Sequence, residues 1–373
     1  MTRAAGMVAV YLMVACGWAG TEAALSAQNS SPAWEQANPI VPLPPPPLGI
    51  NHKWEELPTP PTPATVRLGR WLFFDKRLSA DNSVSCGTCH RPEFAFAEPV
   101  AISRGIRSQP LDFVQPDGRR VTRKTPTVIN QPWSLTTNLF WDGRMTSLDD
   151  MSIMPVSNPQ AMASTHDIMV RTVTETGYRP YFAEAFGTPE ITKERVGRAL
   201  ADYQRTRLSG DSPWDRWRNG DQNAVSTQVK QGHELFSGKA RCSQCHVGHS
   251  FTDTLFHNLG IGWNAESQTF HDTGRFNVTK NESDRGAFKT PPLREVATRA
   301  PYMHDGSIAT LRGVVEFYNK GGNKNPSLDA RIAPLNLTSS EIDALVELLK
   351  AFSGGKPLDT PPQAFPQRDT RTN

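Results

Sequence analysis

At 373 residues the chain has room for two domains of ordinary size, each with a core of its own. Its 40 Lys and Arg against 37 Asp and Glu leave a net charge of +3, too weak to argue for nucleic acid or an anionic membrane surface as partner. After the first thirty residues no stretch is long and apolar enough to span a bilayer.

The N-terminus reads as an export signal: Arg3 is the charged start, and an apolar run covers residues 7–18. Small residues gather at Ala23 and Ala27, so cleavage is expected to remove residues 1–27. A second reading takes Met13-Val14-Ala15-Cys16-Gly17 as a bacterial lipobox, which ends the signal at residue 15 and leaves Cys16 acylated. Either reading places the mature protein in the periplasm, free or lipid-anchored through Cys16. Residues 28–63 are proline-rich, with a run at Pro44, Pro45, Pro46 and Pro47, and are expected to be extended, a tether or strap without its own core.

The next segment, residues 64–215, opens on Val66-x-x-Gly69-x-x-Leu72-Phe73, apolar positions at helical spacing with a glycine that permits close packing. Cys86, Cys89 and His90 follow as a Cys-x-x-Cys-His motif, which reads as a c-type haem attachment site: two thioether bonds and one axial iron ligand. A long loop, residues 101–124, carries Arg104, Arg107, Arg119, Arg120, Arg123 and Lys124. It reads either as a solvated basic loop or as a contact for haem propionates or a partner. Residues 216–356 repeat the pattern, with Val229-x-x-Gly232-x-x-Leu235-Phe236 before Cys242, Cys245 and His246. Apart from Cys16 the two motifs use every cysteine, so no thiol remains for a structural disulfide. Disulfides within each pair, or a zinc site, are disfavoured because each pair is followed directly by histidine. Leu311, Val314, Val315 and Tyr318 share a helix face, and Thr338-x-x-Glu341 is a capping box with Leu337 and Ile342 as its staple. The polar, proline-rich tail, residues 357–373, is expected to be flexible. The fold expected is mainly α: two cytochrome c-like domains, each binding one covalent c-type haem.

The order of motifs carries a resemblance. It runs through Leu72-Phe73-Phe74-Asp75, the first haem motif, Thr125-Pro126-Thr127 and Phe140-Trp141-Asp142-Gly143-Arg144. It continues through the second haem motif, Lys289-Thr290-Pro291-Pro292-Leu293-Arg294 and Ala300-Pro301-Tyr302-Met303-His304-Asp305-Gly306. From about residue 60 to residue 355 the chain resembles the bacterial dihaem cytochrome c peroxidases and their relative MauG. The resemblance implies a peroxide-binding N-terminal haem on His90 and an electron-transfer haem on His246, with Trp141 between them as the coupling residue. The second ligand of the C-terminal haem is implied fourteen residues beyond His304, at Tyr318, where the peroxidases carry methionine; Met303 is the rival ligand. A phenolate is a hard donor that favours high iron oxidation states. No histidine lies between His90 and Trp141, so the first haem is expected to be open at rest; His166 is the weaker distal candidate.

Several positions depart from the family pattern. Met151 and Ala161 stand where relatives carry the glutamine and glutamate that handle protons, a loss worth roughly 100- to 10,000-fold in rate. Gln160, Asp149, Asp150, His166 and Asp167 are the nearby candidates to substitute. Lys124 and Arg299 replace two calcium-binding positions, so calcium is less favoured than in the relatives. Ala240 replaces the surface tryptophan of MauG. The expected function is reduction of hydrogen peroxide at the N-terminal haem with electrons relayed through the C-terminal one. The donor would be a small periplasmic cytochrome c or cupredoxin, and homodimers are common in the family. The alternatives are a dihaem electron carrier without peroxidase activity and a MauG-like oxidase acting on a protein substrate.

Overall fold

The structure, a computed structural model, describes Met1 and residues 31–115, 117–131, 133, 138–355 and 358–368. The export signal and Cys16 lie outside the described residues. The molecule is mainly helical, and among the described residues no helix is long and apolar enough to cross a membrane.

Helix α1 (Pro63–Phe74) starts where the Thr62 hydroxyl accepts the Thr65 N–H at 3.1 Å and Pro63 takes the first helical position. It buries Trp71, Leu72 and Phe73 against α2 (Leu148–Ile153), α3 (His166–Glu175), α4 (Arg179–Phe186) and α5 (Lys193–Arg205), the first hydrophobic core. A single turn, α6 (Pro213–Arg218), leads to a second core built from α7 (Thr227–Ser237), α8 (Leu311–Asn319) and α9 (Ser339–Ala351). The capping box that opens α9 is formed: Thr338 N–H donates to Glu341 Oε2 at 2.7 Å, and Glu341 N–H to Thr338 Oγ1 at 3.3 Å.

The paired glycines explain the repeat. A Cβ on Gly69 would lie 1.9 Å from the Ala199 carbonyl oxygen of α5, and one on Gly232 would lie 2.2 Å from the Ala344 oxygen of α9. Each haem-motif helix thus crosses its partner at backbone contact, which no larger residue permits.

The strands form three short antiparallel pairs. β1 (Asp112–Val114) pairs with β2 (Arg120–Thr122), β3 (Phe256–Asn258) with β6 (Ala287–Lys289), and β4 (Trp263–Asn264) with β5 (Thr269–Phe270). The basic loop is therefore a hairpin. Its arginines are largely committed to the protein: Arg120 to Asp112 at 2.8 Å, and Arg119 to the Phe270 carbonyl at 2.7 Å.

The proline-rich segment lies along the molecule. Trp34 donates to the Tyr181 hydroxyl at 2.6 Å, Arg198 holds the Thr59 carbonyl at 2.9 Å, and the His52 ring stacks on Trp133. The tail differs from expectation. Residues 358–368 dock on the first core instead of hanging free: the Asp359 carboxylate accepts from Arg70 at 3.0 Å, Arg207 at 3.0 Å and the Tyr203 hydroxyl at 2.6 Å. Leu358 and Phe365 pack beside it. One carboxylate meeting three donors outweighs a polar composition.

Candidate functional site

Two cavities lie side by side, of about 330 Å³ and 210 Å³. Cys86, Cys89 and His90 line the first; Cys242, Cys245 and His246 line the second. Each motif wraps one helical turn, with the histidine N–H bonded to the carbonyl of the first cysteine at 2.9 Å in both copies. His90 Nδ1 bonds the Phe96 carbonyl at 3.0 Å, and His246 Nδ1 the Phe251 carbonyl at 2.8 Å. A donor placed this way fixes the tautomer and leaves Nε2 as the nitrogen for a metal. Burial lowers the pKa of both imidazoles, which keeps them neutral as an iron ligand must be. Burial pushes the Cys86 and Cys242 thiols up to about 12. Donors, spacing and adjoining space in each cavity fit a covalently held haem.

The cavities share a wall that includes Trp141, Lys289, Tyr302 and Met303. Trp141 is pinned at both ends: its Nε1 donates to the Lys124 carbonyl at 2.8 Å, and its own carbonyl accepts the Lys289 N–H at 2.8 Å. Beneath it Asp142, wholly buried, takes Arg123 at 2.6 Å and Arg144 at 3.0 Å, and Arg123 also holds Asp272 at 2.6 Å. Met303 sits at φ 71°, a conformation costly for a side chain other than glycine.

The two candidate second ligands part company here. Of the two cavities Tyr318 lines the second, with His246. Burial raises its pKa. Met303 lines both cavities.

Met151 and Ala161 line the first cavity, joined by Met154 and Met162. The nearby substitutes are not among its lining residues. Asp149 is held by Arg205 at 2.7 Å, and His166 Nε2 bonds the Ile153 carbonyl at 3.2 Å. The polar lining instead includes Ser152, Asn158 and Gln204, whose amide donates to Ser152 Oγ at 2.6 Å. Of the six basic residues named in the loop, Arg123 and Lys124 line the cavity. Lys124 donates to the Glu98 and Val100 carbonyls, Arg299 to the Pro292 carbonyl at 2.6 Å. Burial holds Lys124 down at about 8 and Arg299 at about 10.

Sequence reasoning missed three residues. His304 is buried, stacked on Phe288 at 3.5 Å with its ring 6.4 Å from Trp141, and lines the second cavity. His257 lies between Asp329 at 2.8 Å and Asp253 at 3.0 Å. Burial would lower it, yet Cys245 and the two carboxylates push it up to about 9. Lys289 is the third. The motif contexts of His304 and Lys289 were visible in advance, whereas His257 stands in none of the motifs.

Fold and donor sets together define a class: a mainly helical protein of the c-type haem oxidoreductases. A family model described as di-haem cytochrome c peroxidase matches residues 63–223. The methylamine utilization protein MauG of Methylorubrum extorquens is 39% identical over 308 residues, 82% of each chain. The cytochrome c551 peroxidase of Nitrosomonas europaea is 33% identical over 304 residues, 80% of this chain and 83% of that one. Among solved structures, a MauG-like protein associated with microbial copper homeostasis superposes with a TM-score of 0.71 at 27% identity, covering 87% of this chain and 97% of that one. The chain belongs to the bacterial dihaem cytochrome c peroxidase/MauG family, and its activity is that of a peroxidase-type oxidoreductase.

Proposed function

We propose that the chain is an exported, periplasmic dihaem enzyme that reduces hydrogen peroxide to water in the His90 cavity. Its two electrons would be drawn through the His246 cavity from a small cytochrome c or cupredoxin. The observation that carries this reading is the wall common to both cavities, with Trp141 fixed in it by two backbone hydrogen bonds. Covalent haem iron, when bound, supplies peroxide binding at one site and one-electron chemistry at both.

The chain's residues supply the rest. His90 and His246 each present a neutral Nε2, oriented from behind by a backbone carbonyl. Trp141 fills the partition and excludes water from it. Tyr318 is supported as second ligand of the C-terminal site by its place in the His246 cavity alone. Ser152, Asn158 and Gln204 orient a small polar substrate through hydrogen bonds but exchange no proton at neutral pH. Acid–base assistance is therefore weak, and turnover is slow relative to an enzyme with a carboxyl there.

One observation favours a second reading, a dihaem electron carrier: Met151, Met154 and Met162 bring thioethers into the first cavity, and thioether is a haem ligand in cytochromes. Spectra of the ferric protein separate the two. One high-spin and one low-spin haem, with both Soret bands perturbed by peroxide or turnover with a reduced donor, is the result expected of the enzyme. Two low-spin haems, inert to peroxide in every redox state, would leave the carrier.

A further inference from the structure

An ammonium has three N–H groups to satisfy and a charge to balance, and burial makes both demands costly. Several cations around the two cavities are balanced by carboxylates: Arg123 with Asp142 and Asp272, Arg144 with Asp142, and Arg331 with Asp329 at 2.7 Å, while Arg299 on the first cavity donates to the Glu295 and Pro292 carbonyls. Lys124 has Glu98 nearby.

Lys289 differs. Among the described residues its ammonium meets one backbone carbonyl, that of Asn138 at 2.9 Å, and no carboxylate. Burial alone holds its pKa down at about 8. Its strand, β6, places it in the wall common to both cavities, and its N–H bonds the Trp141 carbonyl. Lys289 therefore borders both spaces with its ammonium bonded to a single carbonyl, and among the described residues no carboxylate pairs with it.

We infer that Lys289 is the shared counter-charge of the two sites, its ammonium holding carboxylate side groups of the haem on each side and raising the reduction potential of both irons. This rests on the dihaem reading above. Haem carries propionate carboxylates, which are the anions the wall lacks. Reduction removes one positive charge from an iron centre; a nearby cation repels the ferric form more than the ferrous form, so it favours reduction and the potential rises. Arg331 lines only the second cavity and so gives an internal comparison.

The test is a spectroelectrochemical titration of the holoprotein after its haem content is counted. Lys289→Met is expected to lower both midpoint potentials, Lys289→Arg to hold them near the parent's values, and Arg331→Gln to move only the second haem. Lys289→Gln serves if the methionine variant loads haem poorly. If Lys289→Met shifts neither potential, or only one, the inference is overturned while the dihaem reading stands. A parent protein with fewer than two haems would overturn both.

Discussion

Arg294→Met tests the buried ion pair that ties α6 to the second core. Arg294 and Asp215 are both wholly buried, with Arg294 Nη2 2.8 Å from Asp215 Oδ1 and the second guanidinium nitrogen on Oδ2. Removing one partner of a buried pair costs about 3–5 kcal/mol, because the other charge is stranded. Asp215 keeps the Ser212 N–H at 2.9 Å and the Ser212 hydroxyl at 2.7 Å, which places its share near the low end, about 3 kcal/mol. The lost bond from Arg294 Nε to the His249 carbonyl, 2.8 Å long, adds about 1 kcal/mol. The total expected is about 4 kcal/mol, read as a fall in the urea midpoint at constant slope. Adding Asp215→Leu is the stringent arm: the double variant removes the stranded carboxylate and should recover most of the loss. A single-variant cost below about 1 kcal/mol, or a double variant that is worse than the single, would refute the reasoning.

Asp359→Ala should free the docked tail at a cost of about 2 kcal/mol, less than for a sealed pair because Arg70 and Arg207 keep some solvent contact; limited proteolysis near residue 360 should accelerate. His249 is held down at about 4 by burial, then by His52 and Arg294. Its folded pKa lies below its unfolded value of 6.5, so its contribution is complete above pH 6.5 and is lost as pH falls toward 4. Between pH 7 and pH 5 the urea midpoint should drop by an amount worth about 1 kcal/mol after solvent screening, and His249→Phe should flatten that limb. Ala161→Glu places a carboxyl in the wall of the first cavity and should raise peroxide turnover by about 100-fold; an unchanged rate would show that proton handling is not what limits it.

Features set by local chemistry were legible in the sequence. The capping box at Thr338 and the glycines at positions 69 and 232 depend on spacing within a few residues, and each has its counterpart in the structure; the two Cys-x-x-Cys-His segments each line a cavity. Tyr318 could be placed on a helix face, and that face meets the second cavity. What stayed hidden depends on residues far apart in the chain. Asp215 and Arg294 are 79 positions apart, His257 and Asp329 are 72, and Asp359 reaches back 289 to Arg70. Periodicity carries no information about such pairs. Nearness in sequence misled in the opposite way: Asp149 and His166 flank the first cavity's methionines in the chain, yet Arg205 and the Ile153 carbonyl hold them.

The partition between the cavities owes its rigidity to one short stretch, residues 289–294. The Lys289 N–H is fixed to the Trp141 carbonyl at 2.8 Å, Thr290 N–H to Leu255 at 2.9 Å, the Thr290 carbonyl to the Thr252 hydroxyl at 2.7 Å, and Leu293 N–H to Ser250 at 3.1 Å. Two prolines stiffen the middle, and the buried Arg294–Asp215 pair closes the end. Helix packing can shift by a fraction of an ångström when a core side chain is trimmed, because side chains have room to adjust. A stretch this short, bonded at nearly every residue, has little such freedom. The separation of the two sites is therefore set by backbone geometry and not by core volume, which is the arrangement a coupled pair of redox centres needs. Core variants should then move stability while leaving the coupling between the sites largely untouched, whereas changes within residues 289–294 should disturb both.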